Sequence, residues 1–150
     1  MDEIHMQVAA NPDLRLHHIG LVVRGVEEFG AFYVDALQYR ERTPVIHDPM
    51  QTAFVQFFSI PGADHYLEFV APDSESSKLW KASRKGTALN HLCYSCGNIA
   101  PMVSFLRESG CFVIQDPVPG RAFDGRSIAW LMTPDGLLIE IVERGPEGSL

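Results

Sequence analysis

Two histidines and two glutamates recur at matched places in this 150-residue chain. His18 enters the apolar run Ile19-Gly20-Leu21-Val22-Val23 and His91 enters Leu92-Cys93-Tyr94, a spacing of 91 − 18 = 73 residues. Glu68 sits inside Tyr66-Leu67-Glu68-Phe69-Val70 and Glu140 inside Leu138-Ile139-Glu140-Ile141-Val142, a spacing of 140 − 68 = 72. A single histidine on an apolar strand is an ordinary structural residue. A carboxylate there is costly to bury without a partner. Four such groups at duplicated positions offset one another's burial if a divalent cation lies between them. Two nitrogens and two oxygens suit Co²⁺, Ni²⁺, Mn²⁺, Fe²⁺ or Zn²⁺, with positions left for substrate or water. An open-sided cation of this kind is a Lewis acid that holds a carbonyl oxygen and stabilises an enolate. One of the carboxylates could also move a proton. A salt-bridged cleft without metal is the alternative these residues leave open.

The elements that must position the four residues follow from periodicity. Residues 15–23 alternate and read as a strand, with His18, Gly20 and Val22 on one face and Ile19, Leu21 and Val23 on the other. Residues 26–37 carry apolar side chains at helical spacing. Strands are expected over 39–46, broken at His47-Asp48-Pro49, then over 52–60 and 65–70. A polar, serine-rich connection over 71–87 holds a short helix at 76–83. The second half repeats the plan, with a strand at 90–96, a helix at 99–109 stopped by Gly110, and strands at 111–116, 127–132 and 137–143. Residues 1–14 read as an arm ending in the turn Asn11-Pro12-Asp13. The repeat therefore predicts one α+β domain over 1–150 made of two tandem βαβββ modules, about 15–72 and 88–144. Their helices should cover one side of a curved mixed sheet, and all four polar residues should look into the cleft on the other.

Bulk properties narrow the class. A chain of this length buries a core without disulfide or metal staples. The net charge of −7 argues against a nucleic-acid surface. No apolar run approaches a membrane span. Met1-Asp2-Glu3-Ile4-His5 lacks the pattern of a secretory signal, so a cytoplasmic location is expected. The three cysteines are an odd count; Cys93 and Cys96 fall on opposite faces of a strand and read as buried thiols.

On these residues the chain resembles the vicinal oxygen chelate superfamily of glyoxalases, bleomycin-resistance proteins and extradiol dioxygenases, over about 16–144. It is most similar to the methylmalonyl-CoA epimerase branch. His18 through Val23 resembles that family's opening strand, Gly86 through Tyr94 its Gly-x-x-x-His-His-Ile-Ala-Tyr segment, and Gly136-Leu137-Leu138-Ile139-Glu140-Ile141 its closing Gly-x-Leu-Ile-Glu-Leu. The resemblance implies metal ligands at His18, Glu68, His91 and Glu140. Epimerases commonly have glutamine where this chain has Glu68, whereas glutamate there is common among glyoxalases. The epimerase's extra catalytic glutamate is replaced in the stretch Ile46-His47-Asp48-Pro49-Met50-Gln51, so the implied acid/base residues are Glu140 with Asp48 or His47.

The implied function is epimerisation or isomerisation of a methylmalonyl-CoA-like acyl thioester through a metal-stabilised enolate, in a homodimer. A glyoxalase I-type lactoylglutathione lyase is the nearest rival, and a metal-free module that sequesters a small molecule is the rival from another class. Lys78, Lys81, Arg84 and Lys85 form a basic run that could meet the phosphates of a carrier arm, or simply a solvated face. Arg126, in the loop Arg121-Ala122-Phe123-Asp124-Gly125-Arg126, could grip a substrate carboxylate or pair locally.

Overall fold

Alternation and β-branching make Arg15–Val22 a strand, and the computed structural model, which describes residues 13–150, builds the molecule outward from it. In chain order the elements are β1 (Arg15–Val22), α1 (Val26–Asp35), β2 (Arg40–Glu41), β3 (Ile46–Asp48), β4 (Ala53–Ser59), β5 (Tyr66–Pro72), α2 (Trp80–Arg84), β6 (Ala88–Cys96), α3 (Ile99–Glu108), β7 (Phe112–Pro119), a 3₁₀ turn (Arg121–Phe123), β8 (Ser127–Met132) and β9 (Leu138–Glu143). The expected arm lies outside the described residues apart from Asp13 and Leu14. No helix among the described residues is long and apolar enough to cross a membrane.

All nine strands of the described residues join one open mixed sheet in the order β2-β4-β5-β1-β6-β9-β8-β7, with β3 also on β4. β1 and β6, the opening strands of the two halves, are antiparallel neighbours at its centre. Each has its own half's last strand in parallel on the other side, β5 beside β1 and β9 beside β6. That ladder sets Gly20 opposite both Glu68 and His91, and Cys93 opposite both His18 and Glu140. Topology alone thus brings the four repeated residues to the middle of one sheet face.

The other face is covered by helices. Val26, Phe29 and Tyr33 of α1 pack on Phe58, Leu67 and Phe69, while Ile99, Val103 and Leu106 of α3 pack on Ala129, Leu131, Ile139 and Ile141. Burying a side chain such as Phe69 contributes about 1.5–3 kcal/mol, so these two layers hold the helices on the sheet. Acidic Glu27 and Glu28 favour the start of α1 through the helix dipole. At α3 the carboxylate of Glu143 on β9 accepts the Ile99 N–H at 3.2 Å and replaces a local cap. Gly110, at φ 106°, ends that helix in the left-handed conformation.

Two expectations need correction. The strand expected to break at His47-Asp48 breaks earlier, over residues 42–45, and His47 and Asp48 lie within β3. The ladder runs Glu41↔Phe58 and then Ile46↔Val55, so two extra residues bulge out where Pro44 has no N–H to give. The bulge is pinned by Gln56 donating to the Thr43 carbonyl at 2.9 Å and by Phe57 N donating to Thr43 Oγ1 at 3.2 Å. β7 repeats the insertion, from Val113↔Leu131 to Val118↔Ile128. The short connecting helix starts later than expected, at Trp80, because Ser77 folds the preceding turn: its Oγ donates to Thr52 O and accepts the Leu79 N–H.

Candidate metal centre

His18, Glu68, His91 and Glu140 meet at the centre of the helix-free face, none more than 2% exposed. The two Nε2 atoms stand 2.9 Å apart. Glu68 Oε1 lies 3.4 Å from His18 Nε2 and 3.2 Å from His91 Nε2. Glu140 Oε1 lies 3.3 Å and 3.7 Å from the same two atoms. Gly20 makes this possible, because a Cβ at that position would fall inside the His91 imidazole. Aromatic rings wall the site: Phe57 is edge-on to His18 at 5.0 Å and Trp130 edge-on to His91 at 4.8 Å, with Phe123 stacked on His18 at 6.2 Å.

The donor set fits a divalent cation. Atoms about 2.1 Å from a common cation stand roughly 3.0–3.4 Å apart for octahedral to tetrahedral angles, and the observed spacings bracket that range. Glu68 Oε1 is fully buried without a hydrogen-bond partner among the described residues, a costly state for a carboxylate unless positive charge reaches it. His18, Glu68 and His91 each direct one ligand atom into a common sphere.

The electrostatics agree. Burial opposes ionisation of Glu68, but His18 and His91 outweigh it and hold the carboxyl at about 2. Burial also opposes a charged His18, yet the carboxylates of Glu68 and Glu140 beside it lift the imidazole well above its ordinary value. Burial pushes the Cys93 thiol up, so it is a neutral neighbour. Both shifts report one property: the carboxylate of Glu68 favours positive charge beside it, and His18 answers it.

Beside the centre opens a cavity of about 390 Å³, lined by Asp48, Gln51, Asn90, Trp130 and apolar side chains, with exposed Lys78 and Arg121 on its wall. Asn90 Oδ1 lies 2.8 Å from His91 Nδ1, and Trp130 is the ladder partner of Glu140. Asp48 is buried; its Oδ1 accepts the Met50 N–H at 3.1 Å and the Gln51 N–H at 3.4 Å, while Oδ2 accepts only the Gln51 carboxamide at 2.9 Å. The alternation of β3 sends His47 to the opposite face, where it pairs with Asp73 at 2.9 Å and is half exposed. The structure therefore brings Asp48 to the cavity and leaves His47 away from it.

Arg126, open to gripping a substrate carboxylate or pairing locally, bonds to backbone carbonyls instead. It donates to the carbonyls of Glu143 at 3.0 Å and Phe123 at 3.2 Å and to Leu150, so it ties the C-terminal segment down. His17, which alternation places on the helix side, is buried beside His18, with Nδ1 2.7 Å from His18 Nδ1. Neither His17 nor Asn90 was singled out by sequence reasoning, although each immediately precedes a repeated histidine at the same 73-residue offset.

A family model described as the Glyoxalase/Bleomycin resistance protein/Dioxygenase superfamily matches residues 17–130. A hypothetical protein of Bacillus halodurans C-125 has the same fold at 26% identity and TM-score 0.79, over 93% of this chain and 100% of its own. The methylmalonyl-CoA epimerase of Mycobacterium tuberculosis is 25% identical at TM-score 0.76, over 88% of this chain and 89% of its own. A protein of Brassica oleracea var. gemmifera, provisionally named a lactoylglutathione lyase, is 34% identical over 61 residues, which are 41% of this chain and 21% of that relative.

Proposed function

The chain belongs to the glyoxalase/bleomycin resistance protein/dioxygenase superfamily, and from that premise we propose that it is a metal-dependent isomerase that moves a proton on the carbon next to a carbonyl. The observation that carries this is the meeting of four donor side chains beside a cavity whose wall holds a further buried carboxylate, Asp48. We assign His18, Glu68, His91 and Glu140 to a divalent cation. When bound, that cation supplies Lewis acidity to a carbonyl oxygen, which makes the neighbouring C–H more acidic.

Asp48 Oδ2 is the atom we assign to take the proton. Two backbone N–H groups hold Oδ1, whereas Oδ2 has only the rotatable Gln51 side chain to displace. Glu140, carrying a proton drawn from solvent, returns it on the other side, and Asp48 gives its own proton to solvent before the next turnover. One C–H bond breaks and one forms, so the exchange balances without a co-reactant, and inversion follows from two groups acting on opposite faces. Phe57, Phe123 and Trp130 keep water from the centre and strengthen every charge inside it. The apolar cavity wall suits an acyl body, and Lys78 and Arg121 suit an anionic end. A methylmalonyl-CoA-like acyl thioester meets both requirements. The working unit in this proposal is a homodimer.

A second reading, a glyoxalase I-type lyase, has specific support in Glu68 at the second donor position and in the Brassica relative. It shares the proton transfer and differs in substrate. The experiment incubates the Co²⁺-loaded protein in deuterated water with methylmalonyl-CoA, or with the hemithioacetal of methylglyoxal and glutathione. Deuterium entering the α-carbon of the thioester supports the epimerase; lactoylglutathione formed from the hemithioacetal supports the lyase. Neither product, with the cation bound, would overturn the proposal.

A further inference from the structure

The β1·β6 ladder carries two irregularities, one on each strand. Register passes from Leu16↔Tyr94 to His18↔Cys93, leaving His17 over, and from Gly20↔His91 to Leu21↔Leu89, leaving Asn90 over. A bulge breaks the alternation and re-aims the extra side chain. Here each bulge turns the extra residue toward the ring of the histidine that follows it, His17 beside His18 and Asn90 beside His91.

The contacts repeat as well. His91 Nδ1 lies 2.8 Å from Asn90 Oδ1, and His18 Nδ1 lies 2.7 Å from His17 Nδ1. A carboxamide oxygen only accepts, so His91 donates its Nδ1–H, and its Nε2 keeps the lone pair. His18 directs Nε2 to the same centre, so it also donates from Nδ1, and His17 accepts. The proton of His17 is then on Nε2, an atom buried without a hydrogen-bond partner among the described residues. Of the two acceptors one is an amide and the other an imidazole, but both do the same work at equivalent places.

We propose that His17 and Asn90 are a duplicated pair of positioning residues, each placed by a β-bulge, that lock the tautomer and ring angle of the histidine following it so that both Nε2 atoms face one cation. The proposal rests on reading the four buried residues as a cation site. Removing such a support weakens metal binding by about 10- to 100-fold in general.

The test uses the whole chain, stripped of metal, and measures Co²⁺ affinity by competition with a chelating dye. His17→Leu and Asn90→Leu should each weaken binding by about 10- to 100-fold, whereas His17→Gln and Asn90→Asp, which keep an accepting oxygen, should stay near the parent. A second readout needs no variant: ring ¹H–¹⁵N correlation of the Zn²⁺-loaded parent should show protons on Nδ1 of His18 and His91. Parent-like affinity in both leucine variants would overturn the proposal and leave the cation site standing, whereas a proton on Nε2 of either ring would overturn the proposal together with that ring's place in the site. A parent that binds no Co²⁺ overturns both together, and that result is read separately from any variant.

Discussion

Gly20 faces His91 across the central ladder, and the imidazole fills the space that a side chain at residue 20 would need. The glycine is there for its missing Cβ, since its backbone is not among those at positive φ. Gly20→Ala should push the His91 ring out of line with His18 and Glu68. The expected result is a loss of Co²⁺ affinity comparable with removing an outer-shell support, about 10- to 100-fold, read by chelator competition. Unchanged affinity would mean that the ring moves freely and that the close approach has no role.

Asp48 and His47 are adjacent on β3 but face opposite ways, which separates their expected effects. Asp48→Asn keeps a carbonyl oxygen for the Met50 and Gln51 N–H groups, so the turn should survive with cation content unchanged. Turnover should fall by about 10²- to 10⁴-fold, the usual range for losing a proton-transfer group. Full activity in this variant would remove Asp48 from the mechanism.

His47→Ala should leave turnover at the parent level. Its pair with Asp73 is half exposed at the histidine, so the loss of stability should stay within about 1 kcal/mol in a denaturant titration. A large fall in turnover would return His47 to the list of acid/base groups.

Acid should destabilise the metal-free protein in a definable window. Burial, with the charge of His18 beside it, holds the His17 imidazole down at about 3 against an ordinary 6.5. Between those values the unfolded chain binds a proton that the folded chain refuses, so the contribution of neutral His17 is complete above 6.5 and is lost as pH falls. His18, shifted upward, opposes that loss only near 6.5, where the unfolded imidazole is still titrating, and adds no slope further down; Glu68 adds a loss of the same sign only between 4.5 and about 2. Denaturant midpoints of the chelated protein should therefore fall with pH at up to about 1.4 kcal/mol per unit below 6.5. His17→Gln should flatten that slope; an identical slope in the variant would show that His17 is not its source.

Much of the centre was legible because duplication repeats in sequence what the sheet brings together in space. The spacings 18 to 91 and 68 to 140 name four residues, and alternation correctly turns all four away from the helices. Gly20 was readable beside His18 as the residue that leaves room. His17 and Asn90 were not, since alternation assigns the residue before a strand's inward histidine to the opposite face. Only a bulge reverses that, and neither position carries a glycine to announce one. The same limit misplaced the break in the strand before β4: the strand was expected to run through Pro44, and the two-residue insertion there is a property of pairing with β4. Arg126 looked available for a substrate because its partners, the carbonyls of Phe123, Glu143 and Leu150, are backbone groups whose approach no residue pattern records.

The central claim is that His18, Glu68, His91 and Glu140 act as one cation site, and equilibrium dialysis against Co²⁺ tests it most directly. The purified, chelator-stripped chain should take up one Co²⁺ per molecule with the visible absorption of a cation bound by nitrogen and oxygen, and His91→Ala should lose it. No uptake by the parent, or the same uptake and spectrum in the variant, would contradict the account.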